Sequence, residues 1–250
     1  MTYDVAVVGA GPSGAWTATL LAERGAAVAC VDVNAAGLAE TVDAIRAAGG
    51  TAVPLAADVT DLAAVAAAGA SAVAELGGLD AVANVAGVGD FTGDVTEIAL
   101  DEWARVLTIN LTGAFHISRA TIPHLRAAGG GAIVNVASQF GLVGCLASPA
   151  YCASKAGLIG LTRAMAVDHT SEGIRVNCVC PGPIDTPMLA WTAATPELTA
   201  RERARTQGRN LAGRSGRPEE VAATIAFLLS DEVGFMSGSI VPVDGGWTAG

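Results

Sequence analysis

Tyr151 and Lys155 stand four residues apart in the run Tyr151-Cys152-Ala153-Ser154-Lys155, a spacing that points both side chains to one face of a helix. An ammonium near a phenol lowers the phenol's pKa from about 10 toward the working range, so the tyrosine can exchange a proton. Lys155 is the only lysine in a chain with thirteen arginines, and Tyr151 is one of two tyrosines. A surface lysine packed on a tyrosine ring is the plainer reading, and the scarcity of both residue types argues against it. Thirteen residues before Tyr151, Ser138 closes the strand-like run Ile133-Val134-Asn135-Val136-Ala137. A hydroxyl at the C-terminal end of a strand faces the crevice where open α/β sheets bind ligands.

A second chemistry is written at the start of the chain. Gly9-Ala10-Gly11-Pro12-Ser13-Gly14 is a GxGxxG turn between a strand-like run and a helical one, with Ala15 in the helix's opening turn. Backbone without Cβ atoms can approach a pyrophosphate there, and the helix N-terminus offers free N–H groups and partial positive charge. Eighteen residues after Gly14, Asp32 ends the second strand-like run, where a carboxylate can accept both hydroxyls of an adenosine ribose and would repel a 2′-phosphate. No Arg or Lys lies in the loop after it to receive such a phosphate, which favours NAD(H) over NADP(H). The bland alternative for Asp32 is a helix cap or a solvated strand end.

These side chains need a scaffold, and the chain's periodicity supplies one. Apolar, β-branched runs near residues 3–8, 27–32, 51–55, 79–84, 132–137, 174–179 and 239–243 alternate with helical patterns near 14–24, 35–48, 61–76, 101–127, 152–171 and 218–229. Such alternation predicts an α/β fold: a single-domain, Rossmann-type, doubly wound parallel sheet of seven strands with helices on both faces, spanning residues 1–250. Residues 186–213 carry little strand or core signal and several arginines; the segment reads as a flap over a site or as a solvated helix.

Composition removes other classes. Lys+Arg 14 against Asp+Glu 24 leaves a net charge of −10, which opposes nucleic acid and anionic lipid as partners. Hydrophobic residues reach 52%, yet the longest uncharged stretch, 127–154, is broken by glycines, Asn135, Gln139 and Pro149. A buried parallel sheet accounts for the hydrophobicity without a bilayer, and a cytoplasmic location is expected. The five cysteines (Cys30, Cys145, Cys152, Cys178, Cys180) form no CxxC pair and read as reduced thiols; no metal site is expected.

Taken together, the motifs resemble the short-chain dehydrogenase/reductase family over nearly the whole chain. The family's YxxxK falls on Tyr151 and Lys155, its serine on Ser138 and its helix asparagine on Asn110. Its adenine-contacting acid and neighbour fall on Asp58-Val59, its NNAG on Asn84-Val85-Ala86-Gly87, and its PG on Pro181-Gly182. Ile184 and Thr186 follow, the latter at the position that contacts the nicotinamide carboxamide. Two departures stand out: the family's TGxxxGxG turn becomes a GxGxxG with Val7-Val8 and Pro12 in place of its Thr-Gly and middle glycine, and Val85 replaces the second asparagine of NNAG.

The resemblance implies NAD(H)-dependent interconversion of a secondary alcohol and a ketone. Tyr151 would be general acid or base, Lys155 would hold the nicotinamide ribose and lower the Tyr151 pKa, Ser138 would orient the substrate oxygen, and Asn110 would fix a relay water. Gln139, Cys145, Leu146, Met188 and Trp191, with Ser138 and Tyr151, are the candidate substrate contacts, a mostly apolar set with one amide that could equally be core packing. A homo-oligomer, tetramer or dimer, is implied. Alternative functions are a 3-oxoacyl-carrier-protein reductase, a non-catalytic NAD-binding regulator, and a small flavoprotein suggested by the Gly9–Gly14 turn.

Overall fold

A computed structural model describes residues 3–9, 12–90, 93–188, 200 and 209–249, with Pro12 and Ser13 in backbone alone. Seven parallel strands in the order β3-β2-β1-β4-β5-β6-β7 make one sheet: β1 (Asp4–Val8), β2 (Ala27–Asp32), β3 (Thr51–Ala56), β4 (Ala81–Asn84), β5 (Gly131–Val136), β6 (Ile174–Pro181) and β7 (Ile240–Val243). The order reverses between β1 and β4, so a crevice opens at their C-terminal ends, the usual ligand position in such sheets.

Strand alternation divides the core. On β1, Val5 and Val7 face a cluster shared with α1 (Pro12–Glu23), α2 (Ala35–Ala47) and α7 (Pro218–Leu229), through Leu21, Leu38, Ile45, Ile225 and Leu228. Ala6 and Val8 face the opposite cluster, shared with α3 (Leu62–Leu76), α5 (Gly113–Ala127) and α6 (Pro149–His169), through Val65, Ile117, Leu125 and Met165. Burial on both faces explains the unbroken apolar strands. No helix among the described residues is long and apolar enough to cross a membrane.

Three details refine the sequence expectations. The helix expected over 101–127 is α4 (Leu100–Leu107) joined to α5 through one π turn, Thr108–Thr112, a widening frequent at functional sites. The helix expected from 152 starts at Pro149, because proline's missing N–H costs nothing in a first turn. Most of the flap expected at 186–213, and Trp191 with it, lies outside the described residues. Its far end is tied to the C-terminal turn: the Ala212 N–H donates to Gly245 O at 3.0 Å, and the Arg209 guanidinium lies 5.1 Å from the Trp247 ring.

Candidate active site

Three elements bring the proton-transfer candidates together at the C-terminal edge of the sheet. Ser138 is buried just past β5 in extended conformation, its Oγ accepting the Phe140 N–H at 3.1 Å. One turn into α6, the buried Tyr151 phenol hydrogen-bonds the Ser138 hydroxyl. Lys155, a turn further on, is buried with its Nζ 5.7 Å from the Tyr151 ring centroid and donating to Val136 O at 2.9 Å. Asn110 lies in the π turn, where its Oδ1 accepts the Val88 N–H (2.8 Å) and its Nδ2 donates to Val88 O (2.9 Å) and Ser154 Oγ (3.0 Å). Ser154 Oγ in turn donates to Tyr151 O at 2.8 Å. Asn110, Ser138, Tyr151 and Lys155 therefore form one buried cluster from three separate chain segments, the π turn, the end of β5 and α6.

The electrostatics correct one expectation. Lys155 was expected to lower the Tyr151 pKa; instead burial pushes the phenol up to about 12, with the Ser138 hydrogen bond only partly opposing it. The thiols of Cys152 and Cys145 and the carboxylate of Asp90 push the same way. Burial also holds Lys155 down to about 8, against the opposing pull of Cys178 and Cys180 beneath it. Desolvation disfavours both charged forms at once and is the largest influence on each group.

The glycine turn lies across the ends of β1 and β4. Gly9, at φ 87°, has no space for a side chain, since a Cβ would stand 2.3 Å from Ala86 N, and a Cβ on Gly14 would stand 1.9 Å from Gly9 O. Gly11 lies outside the described residues; Ser13 and the half-buried Ala15 belong to the opening turn of α1. Asp32 is half-buried at the end of β2, one carboxylate oxygen accepting the Asn34 N–H at 2.8 Å. Asp58 is exposed and takes the N–H and hydroxyl of Thr60 (both 2.8 Å). Its neighbour Val59 packs where a Cβ on Gly113 would stand, 2.7 Å from Val59 Cγ2.

Asn84 and Gly87 connect this end to the proton-transfer cluster. Asn84 Nδ2 donates to Asn135 Oδ1 (2.8 Å) and Asn135 Nδ2 to Thr162 Oγ1 (2.9 Å), a buried amide chain across β4, β5 and α6. A Cβ on Gly87 would meet Lys155 Nζ at 3.1 Å and Asn110 Oδ1 at 3.4 Å. Val85 packs against the apolar cluster beneath α1 and α7, so a hydrocarbon is at home where the family carries an amide. On the other side, the Gly182 N–H donates to Val243 O (3.0 Å), Ile184 bridges Gly216, and Thr186 Oγ1 donates to Ile184 O at 3.4 Å, while Pro181 ends β6. Residues from Gly9 to Thr186 could thus hold a dinucleotide along one edge of the sheet.

Of the substrate candidates, Gln139 is buried with its Oε1 lacking a hydrogen-bond partner, and a Cβ on Gly182 would stand 2.9 Å from that oxygen. Cys145 and Leu146 are half-buried before α6; Cys145 acts on the Tyr151 charge, and its N–H donates to Cys152 Sγ at 3.3 Å. Met188 is exposed on the segment after Thr186.

Sequence reasoning missed Asp90. Its carboxylate is fully buried and accepts the N–H groups of Ala150 (2.8 Å) and Tyr151 (3.1 Å). The available signal was indirect: α6 opens with proline and has no acid in its first turn.

A family model described as enoyl-(acyl carrier protein) reductase matches residues 13–248. A cis-4-hydroxycyclohexanecarboxylate dehydrogenase of Sinomonas cyclohexanicum is 47% identical over 247 residues, covering 98% of this chain and 96% of the relative. A cyclohexanol dehydrogenase of Acinetobacter sp. (strain SE19) is 39% identical over 244 residues, with 97% and 94% covered. A Burkholderia xenovorans chain described as a short-chain dehydrogenase/reductase superposes with a TM-score of 0.89 at 36% identity, covering 98% of this chain and 96% of its own.

Proposed function

This chain belongs to the short-chain dehydrogenase/reductase family, and from that premise we propose that it interconverts a secondary ring alcohol and its ketone, Tyr151 handling the proton. The observation that carries this reading is the buried Ser138–Tyr151 hydrogen bond above Lys155 and Asn110, at the open edge of the sheet. Two donors converging on one buried spot suit a single substrate oxygen, the geometry that stabilises charge developing there.

Three features support a nicotinamide dinucleotide as coenzyme. They are Gly9 and Gly14, each packed too tightly for a side chain, the half-buried Asp32 carboxylate, and the buried Asn84 Oδ1 that lacks a protein partner. When bound, the coenzyme supplies or takes the hydride at its nicotinamide C4. Asp32 favours NAD(H) over NADP(H): a carboxylate accepts ribose hydroxyls and repels a phosphate.

In alcohol oxidation Tyr151 Oη takes the hydroxyl proton while Ser138 Oγ holds the oxygen in place; in ketone reduction the phenol returns it. Lys155 Nζ is assigned to the ribose hydroxyls and, with Asn110, to the path by which that proton leaves. The buried Gln139 amide offers its free oxygen to a second polar substituent on the ring, and Cys145, Leu146 and Met188 supply apolar surface. Both dehydrogenase relatives are named for ring alcohols, which favours that substrate class. An acyl-carrier-protein substrate is disfavoured, because acyl carriers are acidic and this chain is itself at −10. A homo-oligomer suits the exposed Val167 and Phe235, which line one cleft with Arg163 and Thr170.

The test is a dehydrogenase screen of cyclohexanol, cis-4-hydroxycyclohexanecarboxylate and acetoacetyl thioesters with both coenzymes, alongside Tyr151→Phe. Turnover of a ring alcohol by wild type, lost by at least about 10³-fold in Tyr151→Phe with NADH affinity intact, supports the reading. Retained turnover in the variant refutes it.

A further inference from the structure

Every α-helix leaves its first N–H groups without partners inside the helix, and a cap normally comes from the residue just before it. At the start of α6 that arrangement fails. The chain enters through Ala147 at φ 53°, the one non-glycine residue in the left-handed region among those described. Ser148, the cap position, then sits at φ −142° and ψ 54°, and its hydroxyl donates to Leu146 O at 3.3 Å instead of accepting from the helix. Pro149 has no N–H to satisfy. The next two donors, Ala150 and Tyr151 N–H, both go to the carboxylate of Asp90, sixty residues earlier in the chain.

The loop that carries Asp90 touches the rest of the cluster as well. Gly87 abuts Lys155 Nζ and Asn110 Oδ1, Val88 holds the Asn110 amide through both its backbone groups, and Gly89 O accepts from Arg105 at 3.4 Å. Four consecutive residues therefore gauge the positions of Lys155, Asn110 and Tyr151 against the end of β4. We infer that Asp90 is a positioning residue for the proposed reaction, a cap supplied from the β4 loop that sets the height of Tyr151 over the coenzyme edge of the sheet. This rests on the proton role proposed for Tyr151.

Burial raises the pKa of this carboxylate, which the Ala150 and Tyr151 N–H groups oppose; in its ionised form it disfavours ionisation of the phenol, as do Cys145 and Cys152, while Ser138 favours it. Glu102 and Arg105 of α4 face Asp90 from the other side, and Lys155 lies across the Tyr151 ring. Asp90 thus acts on Tyr151 both through the backbone and through its field, which gives a readout that a plain helix cap lacks.

The experiment uses full-length enzyme, NAD, and whichever of cyclohexanol or cis-4-hydroxycyclohexanecarboxylate the wild type oxidises faster. Wild type, Asp90→Ala, Asp90→Asn and Tyr151→Phe are compared in kcat, alcohol KM, NADH affinity, thermal midpoint and the pH profile of oxidation. In Asp90→Ala, kcat should fall about a hundredfold, as for a misplaced catalytic group, with NADH affinity within about twofold of wild type. Asp90→Asn retains one acceptor, so it should lose only about tenfold, and its acidic limb should move to lower pH because the opposing charge is gone. If Asp90→Ala does not fold, the Asn variant decides alone. Wild-type kcat with an unmoved limb in Asp90→Asn overturns the inference, as does a parallel fall of kcat, NADH affinity and thermal midpoint with that limb in place. An active Tyr151→Phe enzyme, or a wild type that oxidises neither alcohol, overturns instead the reading on which the inference rests.

Discussion

Asp32→Asn isolates the coenzyme-selecting charge with little collateral change. One Asp32 oxygen accepts the Asn34 N–H at 2.8 Å, and an asparagine Oδ1 can keep that bond and so the turn after β2. What is lost is the negative charge and the second acceptor. Hydrogen bonds to a charged group contribute about 1.5–3 kcal/mol each, so NADH binding should weaken by about 2–3 kcal/mol, roughly 30- to 150-fold. For NADPH the sign reverses. Two unit charges about 4 Å apart at an effective dielectric of about 20 repel by about 4 kcal/mol. Asp32 is half-exposed, so solvent screening reduces this to roughly 1–2 kcal/mol, a gain of roughly 5- to 30-fold for NADPH. Fluorescence titration of both coenzymes against both proteins at fixed ionic strength measures all four affinities. A wild type that binds NADPH as tightly as NADH, or a variant that weakens for both alike, would refute the reasoning.

Two further outcomes are expected. With the Tyr151 phenol held up at about 12, the base form needed for oxidation is scarce at neutral pH. Oxidation kcat/KM should therefore climb by up to about tenfold per unit from about pH 6 to about pH 9, while ketone reduction, which uses the protonated phenol, stays level; pH–rate profiles in both directions check this, and an oxidation plateau below about pH 7 would contradict it. Arg175→Met removes a buried guanidinium that donates to the carbonyls of Leu228 (2.8 Å), Leu229 (3.3 Å) and Ser230 (3.0 Å) at the end of α7. The unsatisfied carbonyls should cost about 3 kcal/mol and lower the thermal midpoint by about 6–12 °C at this chain length, with kcat at 25 °C unchanged.

Much of this protein was legible before folding. The strands fall where apolar, β-branched runs stand in the chain; the inner ones are apolar throughout because both faces are buried, while the edge strands β3 and β7 are only partly covered. Tyr151 and Lys155 share a face because helical geometry alone dictates it. Ser138 and Asp32 lie at strand ends for an equally local reason: the apolar run stops there. Asn110 was reached through family resemblance; its setting in a π turn left no mark in the pattern of apolar residues.

What the amino-acid order determined by itself was thus the set of elements and the residue types at their ends, since both depend on neighbours a few positions away. Tertiary structure alone decided which of those ends meet. Asp90 and the start of α6, or Arg175 and the end of α7, are more than fifty residues apart, and nothing local pairs them until β4 is placed beside β5 and α7 is packed against the sheet. It also decided the charge state at the centre. Spacing places an ammonium near a phenol and suggests that the phenol is acidified, but desolvation acts on both groups once they are enclosed, and only the fold determines how completely water is removed.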